Sequence, residues 1–293
     1  MRRLLSGCSS LPMKLHVKCR GGLYPLSDGV QRADVPEDRV AWSVAWPEYA
    51  PVAYTSPVVP GKPWADPELS AAGFQPRWNA LDGGVDRRSQ QAEYALDAAG
   101  APLNPVGRTG VSGRGLLGRW GPNHAADPLV TRWRRAEDGT LWRHPSSGRP
   151  QLQLVTVQRR DCGLWALPGG MVDPGERVTA AVQREFQEEA LNALEASPER
   201  RRQLAELVRQ LFAGGRRVYA GYVDDPRNTD NAWMETEAYN FHDETGTAVG
   251  AFPLQAGDDA RAVRWTDVSG ETELYASHSA MVQAVAETHG ARW

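Results

Sequence analysis

The stretch Gly170–Asn192, GMVDPGERVTAAVQREFQEEALN, holds the densest chemistry in the chain. From Val178 to about Leu194 it has strong helix formers and neither Gly nor Pro, so a helix is expected there. At ~100° per residue, Glu185, Glu188 and Glu189 fall within an arc of roughly 100° on one helix face. Like charges at that spacing repel by a few tenths of a kcal/mol or so per pair. A hard divalent cation removes the repulsion, because Mg²⁺ takes oxygen ligands, keeps several waters and is shared between carboxylates and substrate phosphates. Such a cluster suits polarising a phosphoryl oxygen and acidifying a water. Gly169 and Gly170 permit a tight turn that could bring a backbone carbonyl to the ion. Arg184 is placed to pair with Glu176 and fix the loop on the helix. The carboxylate spacing alone describes a solvated acidic face equally well.

Regular patterns continue on both sides. Residues 151–158, QLQLVTVQ, read as a strand, and Leu164–Leu167 lead into the turn Pro168-Gly169-Gly170. Pro198-Glu199 open a second helix whose Leu204, Leu207, Val208, Leu211 and Phe212 make one apolar stripe. Strand-like runs follow at Arg217–Val223, Ala232–Phe241 and Ala262–Thr266, and His278–Thr288 form a terminal amphipathic helix. Mixed strands and helices in this order predict an α/β sandwich around one sheet.

Residues 21–120 are rich in Pro, Gly and Trp and read as short strands, Val40–Trp46 among them, joined by long loops. Tryptophans 42, 46, 64, 78 and 120 are the expected anchors of a small core there. The run Gly113–Gly118 spells G-x-G-x-x-G, but no clear strand precedes it and Pro122 follows before a helix can form, so a dinucleotide fold is rejected. Arg108, Arg114 and Arg119 around it are read as solvated or cleft-lining, with His124 and Trp120 packed at a lobe junction.

The chain of 293 residues is 41% hydrophobic and 24% charged, ordinary for a globular protein. A net charge of -3 gives no basic field for nucleic acid or an anionic membrane, and no run approaches the 18 or so apolar residues of a spanning helix. Three cysteines are too few and scattered for a disulfide framework or Cys₄ zinc site. The expected partner is a small anionic molecule bound by a monomer. Arg2, Arg3, Lys14, Lys18 and Arg20 precede the first acid, Asp28, with Leu4, Leu5, Leu11 and Leu15 able to form an apolar face. This describes a mitochondrial presequence or an ordinary basic terminus, which leaves a cytoplasmic location open. Residues 1–22 are set outside the expected fold on that ground.

The fixed spacing of Gly170, Glu176, Arg184-Glu185 and Glu188-Glu189 resembles the Nudix box, G-x5-E-x7-R-E-U-x-E-E-x-G-U, with Leu191 and Asn192 departing from its last two positions. Residues 107–127 (GRTGVSGRGLLGRWGPNHAAD), 165–192, 221–237 (GYVDDPRNTDNAWMETE) and the ending Leu274-Tyr275-Ala276-Ser277-His278 resemble the mitochondrial-type ADP-ribose pyrophosphatases. They also resemble the ADP-ribose-binding domain of melastatin-type TRP channels, and the departure looks like this family's own version of the box. The resemblance implies a Nudix α/β/α sandwich with a mixed sheet over residues 122–293, preceded by a smaller strand- and loop-rich lobe over residues 23–121. It implies ADP-ribose between the lobes, with Asp225, Arg227, Tyr275 and Ser277 as ligand-binding residues. It implies Mg²⁺, with Mn²⁺ as a substitute, on Gly170, Glu185, Glu188 and Glu189, supported by Glu176 and Arg184. Water would attack one phosphorus in line to give AMP and ribose 5-phosphate, with the proton taken by Glu189 or by Asp258 or Asp259 of a late loop. A non-hydrolysing ADP-ribose sensor of the channel type, and a hydrolase for NADH or dinucleoside polyphosphates, are the competing readings. The intact Arg184-Glu185-Phe186 and paired glutamates favour an enzyme over a sensor, and the lack of zinc-ribbon cysteines argues against the usual NADH type.

Overall fold

The computed structural model describes residues 16–192, 195–247, 254–257 and 260–293. Its organising element is β5 (Gly121–Trp133), which lies at the centre of a mixed sheet. β10 (Ala232–Asp243) runs parallel to it from Gly121↔Ala232 to Arg132↔Asp243, and β9 (Arg216–Tyr222) closes that side antiparallel. On the other side, β6 (Leu152–Arg159) pairs with the end of β5, and β11 (Ala260–Asp267) pairs with β6. Two short strands, β7 (Trp165–Ala166) and β8 (Gly170–Met171), add to β6 and β5.

β5 alternates between two cores, as a strand covered on both faces must. Ala125, Leu129 and Trp133 pack into a core with Met281, Val282 and Val285 of α3 (His278–Thr288). Ala126 and Val130 join the opposite core with Ala181 and Val182 of α1 (Val178–Glu185) and Leu204, Val208 and Phe212 of α2 (Pro198–Phe212). The expected α/β/α sandwich with a mixed sheet is the observed architecture. Ser197 caps α2 by accepting from the Arg200 N–H, with Pro198 at the first helical position.

The helix read through to about Leu194 is shorter and less regular than its composition suggests. After Glu185 the chain widens into a π turn, Phe186–Ala190, and Asn192 then takes a positive φ of 48°. The carbonyls of Glu189 and Ala190, which an ended helix leaves without partners, accept from Gly257 and Gln255 at 3.2 and 2.9 Å.

The N-terminal lobe has β1 (Val52–Thr55) parallel to β4 (Val111–Gly115), and a small hairpin of β2 (Leu81–Asp82) and β3 (Val85–Asp86) around Gly83-Gly84. Buried arginines hold it. Arg87 and Arg119 converge on Asp66, which is 2% exposed, while Arg114, fully buried, reaches Glu68 and the Asp66 carbonyl. Arg108 donates to the carbonyls of Arg39, Ala41 and Val44. Val40–Trp46 therefore forms turns rather than the strand expected, because these carbonyls are turned onto one guanidinium. The tryptophans serve as faces for these cations: Arg108 lies 4.8 Å from the Trp42 ring centre and Arg114 5.3 Å from that of Trp120. Of the five, Trp120 is buried and Trp78 packs on a small cluster with Tyr94, Tyr222 and Trp233, as expected of core anchors, while Trp64 is 46% exposed. Arg108 and Arg114 are neither solvated nor cleft-lining.

The fold also takes in part of the segment set aside as a leader. His16 and Cys19 are buried, and the main chain of Val17 and Lys18 is hydrogen-bonded to Asp224.

Candidate active site

A cavity of about 530 Å³ opens where β5, β6, the turn after β7, and α1 with its π turn meet the loop after β9. β8 pairs with β5 through Ala126↔Gly170, which sets the Gly169-Gly170 turn against the sheet. A Cβ on Gly170 would lie 2.5 Å from the Glu185 carboxylate, so only glycine lets the helix carboxylate approach this turn. Glu189 accepts from the Gly169 N–H at 2.9 Å. His278 accepts from the Leu167 N–H at 3.0 Å on Nδ1, and burial pushes this imidazole down to about 3, so it stays neutral and acts as a brace for the turn.

Arg184 organises the acids. Its Nε and Nη2 fork Glu176 at 3.0 and 2.9 Å, as the spacing predicts, and its Nη1 reaches Glu185 at 2.7 Å and Glu188 at 3.3 Å. The repulsion expected between those two carboxylates is therefore relieved here by a guanidinium. Glu176, held by Arg184, is lowered from the ordinary carboxylate range. Burial pushes Glu185 up to about 7, against the pull of Arg184, and Glu189 up to about 8. Asp127, which accepts from Thr236 Oγ1 at 2.6 Å in the same cavity, is raised to about 6 by burial.

Glu185, Glu188 and Glu189 bring carboxylate oxygens, which are hard donors, to one cavity. This donor set fits a Mg²⁺-class ion better than a thiophilic one. Among the described residues, no three acidic, histidine or cysteine groups already surround one point. An ion entering here would compete with Arg184 for Glu185 and Glu188.

Two arginine–aspartate pairs also line the cavity. Arg159, at the end of β6, forks Asp161 at 3.0 and 2.6 Å and lies 4.4 Å from the Tyr275 ring centre. Asp225 and Arg227 both line the cavity, but they fork each other at 2.9 and 2.8 Å, so the Nε and Nη2 of Arg227 are committed. Tyr275 also lines it, with its hydroxyl 3.4 Å from Asp225. Ser277 is not among the lining residues: it is buried, and its Oγ accepts from the Asp224 N–H at 3.2 Å, beneath the loop. Asp258 and Asp259 lie outside the described residues.

A second cavity, of about 610 Å³, continues from the first past Ala125, Met171 and Arg227 into the junction between the lobes. Arg119 and His124 line it, beside Trp64 and Leu81.

Residues 145–284 match the family described as the NUDIX domain, and residues 35–121 that described as NUDT9-like, N-terminal domain. A Rattus norvegicus protein named "ADP-ribose pyrophosphatase, mitochondrial" is 52% identical over 292 residues, covering 99% of this chain and 83% of that protein. The chain is a Nudix hydrolase.

"Putative nudix hydrolase 6" of Caenorhabditis elegans is 48% identical over 94% of this chain and 98% of its own length. A Nematostella vectensis protein, "Transient receptor potential cation channel subfamily M member-like 2", is 48% identical over 98% of this chain, which spans 19% of that protein. Within the Nudix box, the departure at its end has a local reason. Leu191 is 2% exposed in the core, and Asn192, a residue that tolerates positive φ, makes the turn that follows. Sequence reasoning missed Asp127, Arg159 and His278. Arg159-Arg160-Asp161 at the end of a predicted strand was the available signal, since strand ends are where charged side chains meet ligands. Asp127 sits in a stretch whose prolines hid the strand.

Proposed function

We propose that this Nudix hydrolase cleaves the diphosphate of ADP-ribose to AMP and ribose 5-phosphate. The observation that carries the reading is one cavity lined both by Glu185, Glu188 and Glu189 and by Arg159 and Arg227. A diphosphate held there would meet the two arginines and the cation that the glutamates would hold. The rat relative's name supplies the substrate, and the word mitochondrial in that name supports a mitochondrial site of action.

Glu185, Glu188, Glu189 and the Gly170 carbonyl would hold Mg²⁺, or Mn²⁺ in its place. When bound, the ion polarises a phosphoryl oxygen and acidifies a water. The chain's own residues do the rest. Arg184 fixes the acidic cluster, and the Asp225–Arg227 pair with Tyr275 orients the sugar and phosphate end. Glu189, which accepts from the Gly169 N–H beside the cluster, is our choice to take the proton of the attacking water.

Incubation with ADP-ribose and Mg²⁺ in ¹⁸O-labelled water, followed by product analysis, tests substrate, reaction and attacked phosphorus together. The double substitution Glu188→Gln, Glu189→Gln should abolish turnover and leave ADP-ribose binding detectable. Parental rates in that variant refute the assigned cluster. The match to a channel-type protein supports a second reading, a sensing domain, and binding without AMP release from the parent chain would favour it.

A further inference from the structure

The reaction leaves unexplained a short segment, His16–Arg20, that crosses the two loops carrying the ligand-facing side chains. The backbone N–H groups of Val17 and Lys18 both donate to the Asp224 carboxylate, at 2.9 and 3.0 Å. The Lys18 ammonium donates to the carbonyl of Ala276. His16 bridges the Tyr222 hydroxyl at 2.8 Å and the Arg108 carbonyl at 2.9 Å, which joins the segment to the end of β9 and to the N-terminal lobe. Each anchor is one residue from a cavity side chain: Asp224 precedes Asp225, and Ala276 follows Tyr275.

Two features separate this from ordinary packing. Val17 and Lys18 are exposed, so at these positions the segment contributes polar ties and little apolar burial. Ala276 is held at a φ of 49°, a left-handed conformation that a residue with a Cβ adopts only when its surroundings impose it. The lysine head group is thus committed to a carbonyl at the strained point of the Tyr275 loop. The contact it protects is a long one, 3.4 Å from the Tyr275 hydroxyl to Asp225, which a small shift of either loop would break.

We propose that His16–Lys18 is a strap that sets the separation of the Asp225–Arg227 pair from Tyr275, with Lys18 as a positioning residue for the ligand. The ligand part of this inference rests on the ADP-ribose reading above, while the loop part does not.

The test uses the full chain with Lys18→Met, Lys18→Arg and Asp224→Asn, read by amide hydrogen exchange and by steady-state kinetics on ADP-ribose. In Lys18→Met, exchange over residues 223–228 and 274–278 should quicken while α2 and β10 keep parental protection. Loss of one charge-assisted bond should raise KM about tenfold, with kcat within about twofold of the parent. Lys18→Arg should restore both readouts, and the double Lys18→Met, Asp224→Asn variant should raise KM by less than the product of the single effects. Parental exchange in both segments, or a fall in kcat at unchanged KM, overturns the strap. If the parent chain does not turn over ADP-ribose, the functional reading fails, and the exchange result still decides whether the loops depend on Lys18.

Discussion

Asp230 joins the two lobes and offers a direct test of their electrostatics. Its Oδ1 accepts from the Thr109 N–H and hydroxyl at 2.7 and 2.9 Å, and its Oδ2 from the Tyr49 hydroxyl at 2.6 Å, with the residue 2% exposed. These partners are neutral donors, and burial outweighs them, raising the group from 3.8 to about 6. A carboxyl raised on folding binds its proton more tightly in the native state. Its contribution to stability is therefore complete below about pH 4 and is lost as pH rises through about 6. Two units at 1.36 kcal/mol each make the swing about 3 kcal/mol, of which about 2 lie above pH 4.5. Asp230→Asn keeps the shape and removes the titration, so subtracting its unfolding free energy from the parent's cancels the other groups. Urea unfolding of both proteins at pH 7 and pH 4.5 should show the parent gaining about 2 kcal/mol on the variant at the lower pH. That is about 1 M in midpoint at an m-value of roughly 2–3 kcal/mol per M. A difference that stays constant, or that grows toward neutral pH, refutes the reasoning.

Gly170→Ala places a methyl group 2.5 Å from the Glu185 carboxylate, and should lower kcat/KM by about 10–100-fold in a protein whose circular dichroism matches the parent. Arg184→Lys keeps the charge but cannot fork Glu176, so kcat/KM should fall about tenfold, measured at saturating Mg²⁺ and across a Mg²⁺ titration. Phe212→Ala removes a ring stacked 3.9 Å from Phe241 beneath the sheet, and should cost about 3–5 kcal/mol in denaturant unfolding.

The elements read correctly from sequence were those with a helical apolar stripe or a strand-length run free of proline. α2 and α3 carry helical stripes, α3 with the bounds expected, and β9, β10 and β11 carry β-branched and aromatic residues in strand-length runs. β5 escaped because Pro122, Asp127 and Pro128 lie inside it. The structure shows how Pro128 is accommodated: on that side β5 pairs with β8 only at Ala125–Ala126 and with β6 only from Thr131, so Pro128 falls between the two ladders. In the site, Glu176, Arg184 and the three glutamates were legible because spacing along one helix fixes their neighbours. The use of Arg227 was not, since its nearest partner, Asp225, is two residues away and competes with any phosphate. Lys18 and Arg20 were counted with the basic leader because composition cannot distinguish a cation held by a carbonyl from one in solvent.

The parallel pairing at the heart of the sheet also governs how the molecule is made. Leu129 and Asn240 are neighbours across it yet 111 residues apart in sequence. During synthesis β5 leaves the ribosome well before β10 exists, and with it an apolar strand whose long edge has no partner. Closing so large a loop is slow, and the nascent chain spends that interval open to pairing with another copy of itself. Yield on refolding should therefore fall with protein concentration, and a chaperone that shields the bare strand should recover it.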